Sequence, residues 1–460
     1  MLTMFAYGFI GYVVILGVLG AIFYKKSHTA SDFMLGGRSL GYWTTAIAAH
    51  ASDMSIWMFM GLPAKAYQSG IQSILIPFGL MTGMYITWKF IAAPLRIATE
   101  KLNSDTLSTY FQKRFNDTGS SLRLISAFLS LWFFTFYIAS GLVGMGDLFG
   151  PVFHMDYHTG IFIGLLITIA YTFFGGFSAI AQSHFFQGIF LVIMMVLVPL
   201  LALFYLPAGS LTHALTASSS AYTPHTLGAL LILIITAISW GMGYFGQPHI
   251  LVNFMGIKDP KTMPKAMRVG MLWQFFTFAA SVSIGLIGIL FFTTPLQDAQ
   301  LVFVEMTMRL FPELLAGCIL CSVVAAGLTT IATQMLVSSS IIAHDLYGQY
   351  INKKASQKAI VRMSRYGLMV IPCISFCIAW TKSSTVFGLV EYAWMGLGAS
   401  FGPAVIAALY LPKTSTRGIT RGMIAGGIIA TIWPLITTAI PSLIPAFLVN
   451  FAFILRTPKK

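Results

Sequence analysis

Residues 48–63 read AAHASDMSIWMFMGLP, and residues 236–249 read TAISWGMGYFGQPH. Each lies in an apolar stretch long enough to cross a bilayer, and each interrupts that stretch with groups that weaken a helix. In the first, Ala51, Ser52, Asp53 and Ser55 set small and polar side chains close together. In the second, Gly241, Gly243, Gly246 and Pro248 fall in mid-stretch. Hydrocarbon offers no hydrogen bonds, so loosened backbone at membrane depth must meet a cavity, an ion or protein. An ionisable residue carries the same implication, and Asp53 is the carboxylate set well inside an apolar stretch. Broken helices around a midplane site are the expectation.

Composition excludes most other classes. The chain has 460 residues, 57% hydrophobic and 9% charged, with a mean hydropathy of +0.82. A soluble domain carries about 25% charged residues because water-facing surface demands them. The formal net charge of +14 reflects loop charges that orient a membrane protein rather than a nucleic-acid surface. Cys318 and Cys321, and Cys373 and Cys377, sit at helical spacing in apolar stretches and read as buried, inert thiols. The first apolar run lacks a preceding basic segment and reads as a retained span, not a cleaved leader.

Apolar stretches fall at 5–24, 42–62, 71–92, 122–144, 159–174, 185–206, 227–255, 269–292, 314–343, 366–380, 386–411, 422–438 and 442–455. They predict an all-α polytopic membrane protein of about thirteen spans, a single domain over 1–460. Lys and Arg concentrate in alternate loops; only Lys65, Arg309 and Lys382 fall in the opposite ones, and Lys89 sits near an inner helix end. That asymmetry predicts the N-terminus outside and the C-terminus inside, in a bacterial inner membrane. Each interrupted stretch opens a run of five spans, 42–206 and 227–411, and the two begin in opposite directions. This is the pattern of a five-plus-five inverted repeat with a midplane site.

Six blocks carry a family resemblance: FMLGGRSLGYWTTAIAAHASDMSIWMFMGLP (33–63), FFTFYIASG (133–141), YTFFGGFSA (171–179), WGMGYFGQPHIL (240–251), LTTIATQMLVSSS (328–340) and EYAWMGLGASFGP (391–403). In order and nearly end to end, they resemble the sodium:solute symporter family, and within it the proline-carrying branch. The resemblance implies a LeuT-type core over spans two to eleven, one flanking span before it and two after. It implies sodium as coupling ion, held by the backbone carbonyls of Ala51, Met54 and Ala326 and the hydroxyls of Thr329 and Thr330. Asp53 then supplies local charge. Ala326 is one helical turn before the two threonines, so all three can reach one spot. Carbonyls and hydroxyls are the oxygen ligands a hard cation takes, although threonine hydroxyls also bond back to their own helix.

For the solute the resemblance points to Ser55, Trp57, Tyr137, Trp240, Tyr244 and Pro248. The last three are spaced to form one stripe if the helix is regular, either a pocket wall or plain packing. Aromatic walls suit a compact ring such as proline, and its ammonium can rest on an aromatic face. Arg38 is implied in inner gating, with anchoring of the helix end at the headgroups as the alternative.

Three positions depart from the family pattern. His184 stands where members with a second cation site have an aspartate, so one sodium per solute is expected, with proton involvement open. Ile56 replaces a glycine of the proline branch and is expected to add bulk near the pocket. Glu391 replaces a small polar residue, either reaching the headgroups or placing a charge in an outer vestibule. The rivals are symport of another amino acid or a carboxylate-bearing vitamin, driven by sodium or protons, and a transporter-like sensor. The short tail Arg456–Lys460 counts against the sensor. No catalytic motif is visible, and neither an enzyme nor an organic cofactor is expected.

Overall fold

The computed structural model describes residues 4–23, 29–173, 176–206, 226–437 and 439–457. Lys25, Lys26, Lys459 and Lys460, part of the charge asymmetry, lie outside them, as do Phe174 and Gly175 of the third family block. The first helices are α1 (Met4–Phe23), α2 (Ala30–Leu35), α3 (Tyr42–Ala51), α4 (Gly61–Ser69) and α5 (Leu75–Ile86). Then come α6 (Ala93–Lys101), α7 (Leu107–Arg114), α8 (Ser121–Phe153), α9 (Tyr157–Phe173) and α10 (Phe177–Phe204). Beyond residue 226 lie α11 (Leu227–Gly243), α12 (Pro248–Met255), α13 (Met263–Phe291), α14 (Val302–Leu310) and α15 (Glu313–Ser340). The chain continues with α16 (Gln357–Trp380), α17 (Val386–Tyr410), α18 (Thr416–Ile436) and α19 (Leu443–Arg456).

Each apolar stretch read from the sequence is helical where described. Among the described residues nine helical stretches are long and apolar enough to cross a membrane, and three apolar helices are shorter. Outward faces such as Phe128, Leu166, Ile193 and Leu272 remain exposed, as a lipid-facing surface requires. Cys321 is buried, but Cys373 and Cys377 are exposed on α16, because their helix turns that face away from the bundle. The expectation of buried thiols fails for this pair.

Both interrupted stretches are broken. In span two, α3 stops at Ala51 and Ser55 is extended (φ −72°, ψ −168°). A tight turn over Ile56–Met58 leads on to α4. In span seven the glycines do not make the break. The helix stays regular through Gly243, tightens over Tyr244–Gly246, and opens at Gln247 (φ −89°, ψ 101°) before Pro248 starts α12. Gly241 serves close packing: a methyl on its partner Gly83 of α5 would lie 2.0 Å from Gly241 O, and one on Gly79 would lie 1.9 Å from Ala237 O. Small residues four apart let two membrane helices meet backbone to backbone. On the other side, α13 meets the outer half of span two, where Ser281 Oγ donates to Met58 O at 2.7 Å.

One buried charge lay beyond the sequence reading. Span nine does not end at 343; α15 widens into a π-helical stretch, Ile341–Ile351, which carries Asp345 inside. Arg123 of α8 donates to Asp345 Oδ1 at 2.8 Å, and the hydroxyls of Thr106 and Thr109 donate to the same oxygen at 3.1 and 3.0 Å. Asp345→Ala strands a buried guanidinium and is expected to cost about 3–5 kcal/mol. Pairing it with Arg123→Met should recover most of that loss. Thermal unfolding of the purified variants measures both.

Candidate ion and solute site

The end of α3 exposes carbonyls that a continuous helix would have used. Met54 N–H turns back to His50 O at 2.9 Å, and Ser55 N–H goes to Asp53 O at 2.9 Å. Ala51 O is thereby released from the ladder, and α15 supplies what meets it. Thr329 Oγ1 lies 2.8 Å from Ala51 O and 3.0 Å from Ala326 O, and Thr330 Oγ1 lies 3.4 Å from Ala51 O. Two carbonyl and two hydroxyl oxygens thus converge, with only two hydroxyl protons to share among three close contacts. All four residues are buried. An oxygen-rich spot with few protons suits a small hard cation. Met54 belongs to the same break, and its carbonyl is freed because Met58 N–H turns to Ser55 O at 3.0 Å.

Asp53 ties the two breaks together. Its Oδ2 accepts from the hydroxyl of Tyr244, just past the end of α11, and Tyr244 in turn accepts from Gln274 Nε2 of α13 at 2.9 Å. Oδ1 is buried and has no hydrogen-bond partner among the described residues. Asn253 of α12 adds a second tie, donating to Ser52 Oγ at 3.3 Å and His249 O at 2.9 Å.

Above Asp53 stands an aromatic cluster. Trp57 stacks on Trp240 with centroids 5.7 Å apart, and Trp240 stacks on Trp394 at 6.3 Å. Tyr244 meets Trp394 edge-on at 4.8 Å. Trp394 Nε1 donates to Trp240 O at 2.9 Å, and Gln247 bridges Gly243 O and Trp394 O at 3.1 and 3.0 Å. Gly243 has to be glycine here, because a methyl would sit 2.0 Å from Trp394 Nε1. Ser55 Oγ accepts from Trp57 N at 3.4 Å and so shapes the turn that presents Trp57.

Other expected residues fall elsewhere. Pro248 leaves the Trp240–Tyr244 stripe because the break at Gln247 rotates it away; it lines a separate cavity with Met34, Thr106, Ser130 and Ser340. Tyr137 of α8 is buried and meets His249 edge-on at 5.4 Å. Ile56 does not bulk out the aromatic cluster. Its side chain wedges between α8 and α15, where methyls on Gly144 and Gly327 would lie 2.4 and 2.9 Å from it. His184 is buried on α10 with Nε2 lacking a partner among the described residues. Glu391, near the start of α17, lines a pocket with Tyr392, Trp433 and Ile440.

Arg38 does not reach outward. Its guanidinium donates to Met255 O at 2.9 Å, Ser104 O at 2.9 Å and Thr99 Oγ1 at 3.2 Å. Arg96 adds Ile257 O at 2.7 Å, and a backbone bridge joins Leu40 to Ile257. The sequence reading missed Arg96, Gln247, Gln274 and Trp394; Gln247 and Trp394 carried a signal, as members of the fourth and sixth family blocks. Tyr244→Phe leaves Asp53 without its hydroxyl donor and is expected to cost about 1–3 kcal/mol, read as a lowered unfolding temperature of the purified protein.

Comparisons with known proteins bear on the family and the fold. The model of the sodium:solute symporter family matches residues 33–426. A sodium/proline symporter of Staphylococcus aureus (strain COL) is 39% identical over 430 residues, covering 92% of this chain and 84% of the relative. Among solved structures, the substrate-bound outward-open state of a Na+-coupled sialic acid symporter has a TM-score of 0.82 at 18% identity, covering 100% of this chain and 99% of its own. MhsT in complex with L-phenylalanine has a TM-score of 0.58 at 13% identity, covering 91% and 98%. The structural likenesses establish the shared fold. With the family model spanning most of its length and the relative's identity spread over nearly all of it, the chain belongs to the sodium:solute symporter family.

Proposed function

We propose that this protein is a sodium-coupled symporter carrying a small amino acid, L-proline, into a bacterial cell by alternating access. The observation that carries the reading is the meeting of Ala51 O, Ala326 O and the hydroxyls of Thr329 and Thr330 at the end of α3. Sodium sits among these oxygens, with Met54 O as a fifth ligand and Asp53 as the nearby charge. The solute lies beside Ser55 and Trp57, against Tyr137, Trp240 and Tyr244, and leaves past Pro248. Proline is favoured by the aromatic cluster and by a sodium/proline symporter among the relatives. His184, in place of a carboxylate, goes with one sodium per solute.

Spans two to six (42–206) and seven to eleven (227–411) form the inverted repeats. The packing supports this: α5 lies on α11 through Gly83 and Gly241, while α13 lies on α4 through Gly285, where a methyl would be 2.3 Å from Pro63 O. The third span packs on the seventh as the eighth packs on the second. About thirteen spans cross the inner membrane, N-terminus outside and C-terminus inside. Arg38 closes the inner gate by holding the end of α12. Each sodium moving inward gains about 2.3 kcal/mol per 100 mV, enough to drive accumulation.

Right-side-out vesicles should accumulate labelled proline when an inward sodium gradient is imposed, and not with a proton gradient alone. Thr329→Val combined with Thr330→Val should raise the sodium concentration for half-maximal uptake by about tenfold or more. Uptake that is indifferent to sodium, or unchanged in the double variant, would remove the coupling scheme.

A further inference from the structure

His249 has no place in the site described so far. It is the second residue of α12, fully buried, and held between two rings of α8: Phe134 at 5.6 Å and Tyr137 at 5.4 Å, both edge-on. Neither ring nitrogen has a hydrogen-bond partner among the described residues, and neither does the Tyr137 hydroxyl. Buried polar groups in folded proteins are nearly always satisfied, so two unmatched neighbours in contact call for a ligand that matches both. Packing alone would be met at lower cost by an apolar ring.

The surroundings say what the ligand is. Asp53 lies within electrostatic reach of Tyr137, and its free Oδ1 offers an acceptor to a cationic group. Pro248 and Val252, flanking His249 on α12, line the separate cavity together with Ser130 of α8. Ser130 is one helical turn before Phe134 and two before Tyr137. His249 and Tyr137 therefore lie near both the acidic group and the residues that line that cavity. An imidazole in either tautomer has one N–H, and a phenol has one O–H. Two converging donors complement an acceptor with two oxygens.

We propose that His249, with Tyr137, binds the carboxylate of the transported amino acid and so selects carboxylate-bearing solutes. The inference rests on the amino-acid symport reading above. Its test uses the full chain in proteoliposomes under a sodium gradient, with labelled L-proline as solute. L-proline and L-prolinamide, the same ring without the free carboxylate, serve as competitors.

The unmodified chain should prefer proline strongly. His249→Ala and His249→Phe should each raise the KM for proline about tenfold to hundredfold and bring proline and prolinamide close to equal competition. The sodium dependence should stay as it was, and His249→Gln, which restores an N–H, should regain part of the preference. The phenylalanine variant keeps the ring packing against Phe134 and Tyr137, and sodium-dependent thermal stabilisation reports whether each variant is folded. Unchanged KM and unchanged preference in His249→Phe would overturn the assignment while leaving proline symport standing. Absence of sodium-driven proline uptake by the unmodified chain would overturn both.

Discussion

Carbonyl groups that have lost their helix partners must be satisfied inside hydrocarbon, and the architecture follows from how this chain does it. The break after Ala51 frees backbone oxygens, and α15 brings two hydroxyls to them. The same break displaces Asp53 from the regular helix and delivers it to Tyr244, at the other break. The two interruptions are thereby linked through one side-chain hydrogen bond. One carboxylate and one phenol, with Gln274 as backing, thus connect the broken end of α3 to the aromatic cluster.

The far ends of these half-helices obey the same logic with opposite charge. Helix C-termini present unsatisfied carbonyls and a partial negative charge. The end of α12 meets two guanidiniums, Arg38 on Met255 O and Arg96 on Ile257 O. The backbone bridge from Leu40 to Ile257 adds a direct tie between the segment leading into α3 and the segment leaving α12. The halves α3 and α12 of the two broken helices are thus fastened to each other and to the 96–104 segment. Moving either half inward or outward requires these bonds to be exchanged together.

Helix positions were legible in the sequence because hydropathy over twenty residues is a strong signal, and the break in span two was legible because Asp53 has no other reason to be there. The break in span seven was only half legible. Glycine reads as a helix breaker, yet Gly241 and Gly243 lie in regular helix and are small because α5 and Trp394 come so close. That is a property of the neighbours, invisible from one strand of sequence. The same limit hid Arg96, Asp345 and His249: each looks like an ordinary loop charge or core residue until its partner, or the lack of one, is located. The threonine pair was suggested by spacing and resemblance; its meeting with Ala51 O depends on an α3 ending that only tertiary structure fixes.

Ile56 couples three positions of the sequence through a shared volume. The isoleucine occupies room that exists only while positions 144 and 327 have no side chain; alanine at 144 would come within 2.4 Å of it. A glycine at 56 beside those two glycines would leave a hollow between three helices, in the element that ends at the released carbonyls. An isoleucine at 56 therefore requires positions 144 and 327 to be without side chains. Chains that differ at one of these three sites are expected to differ at the others in compensating volume.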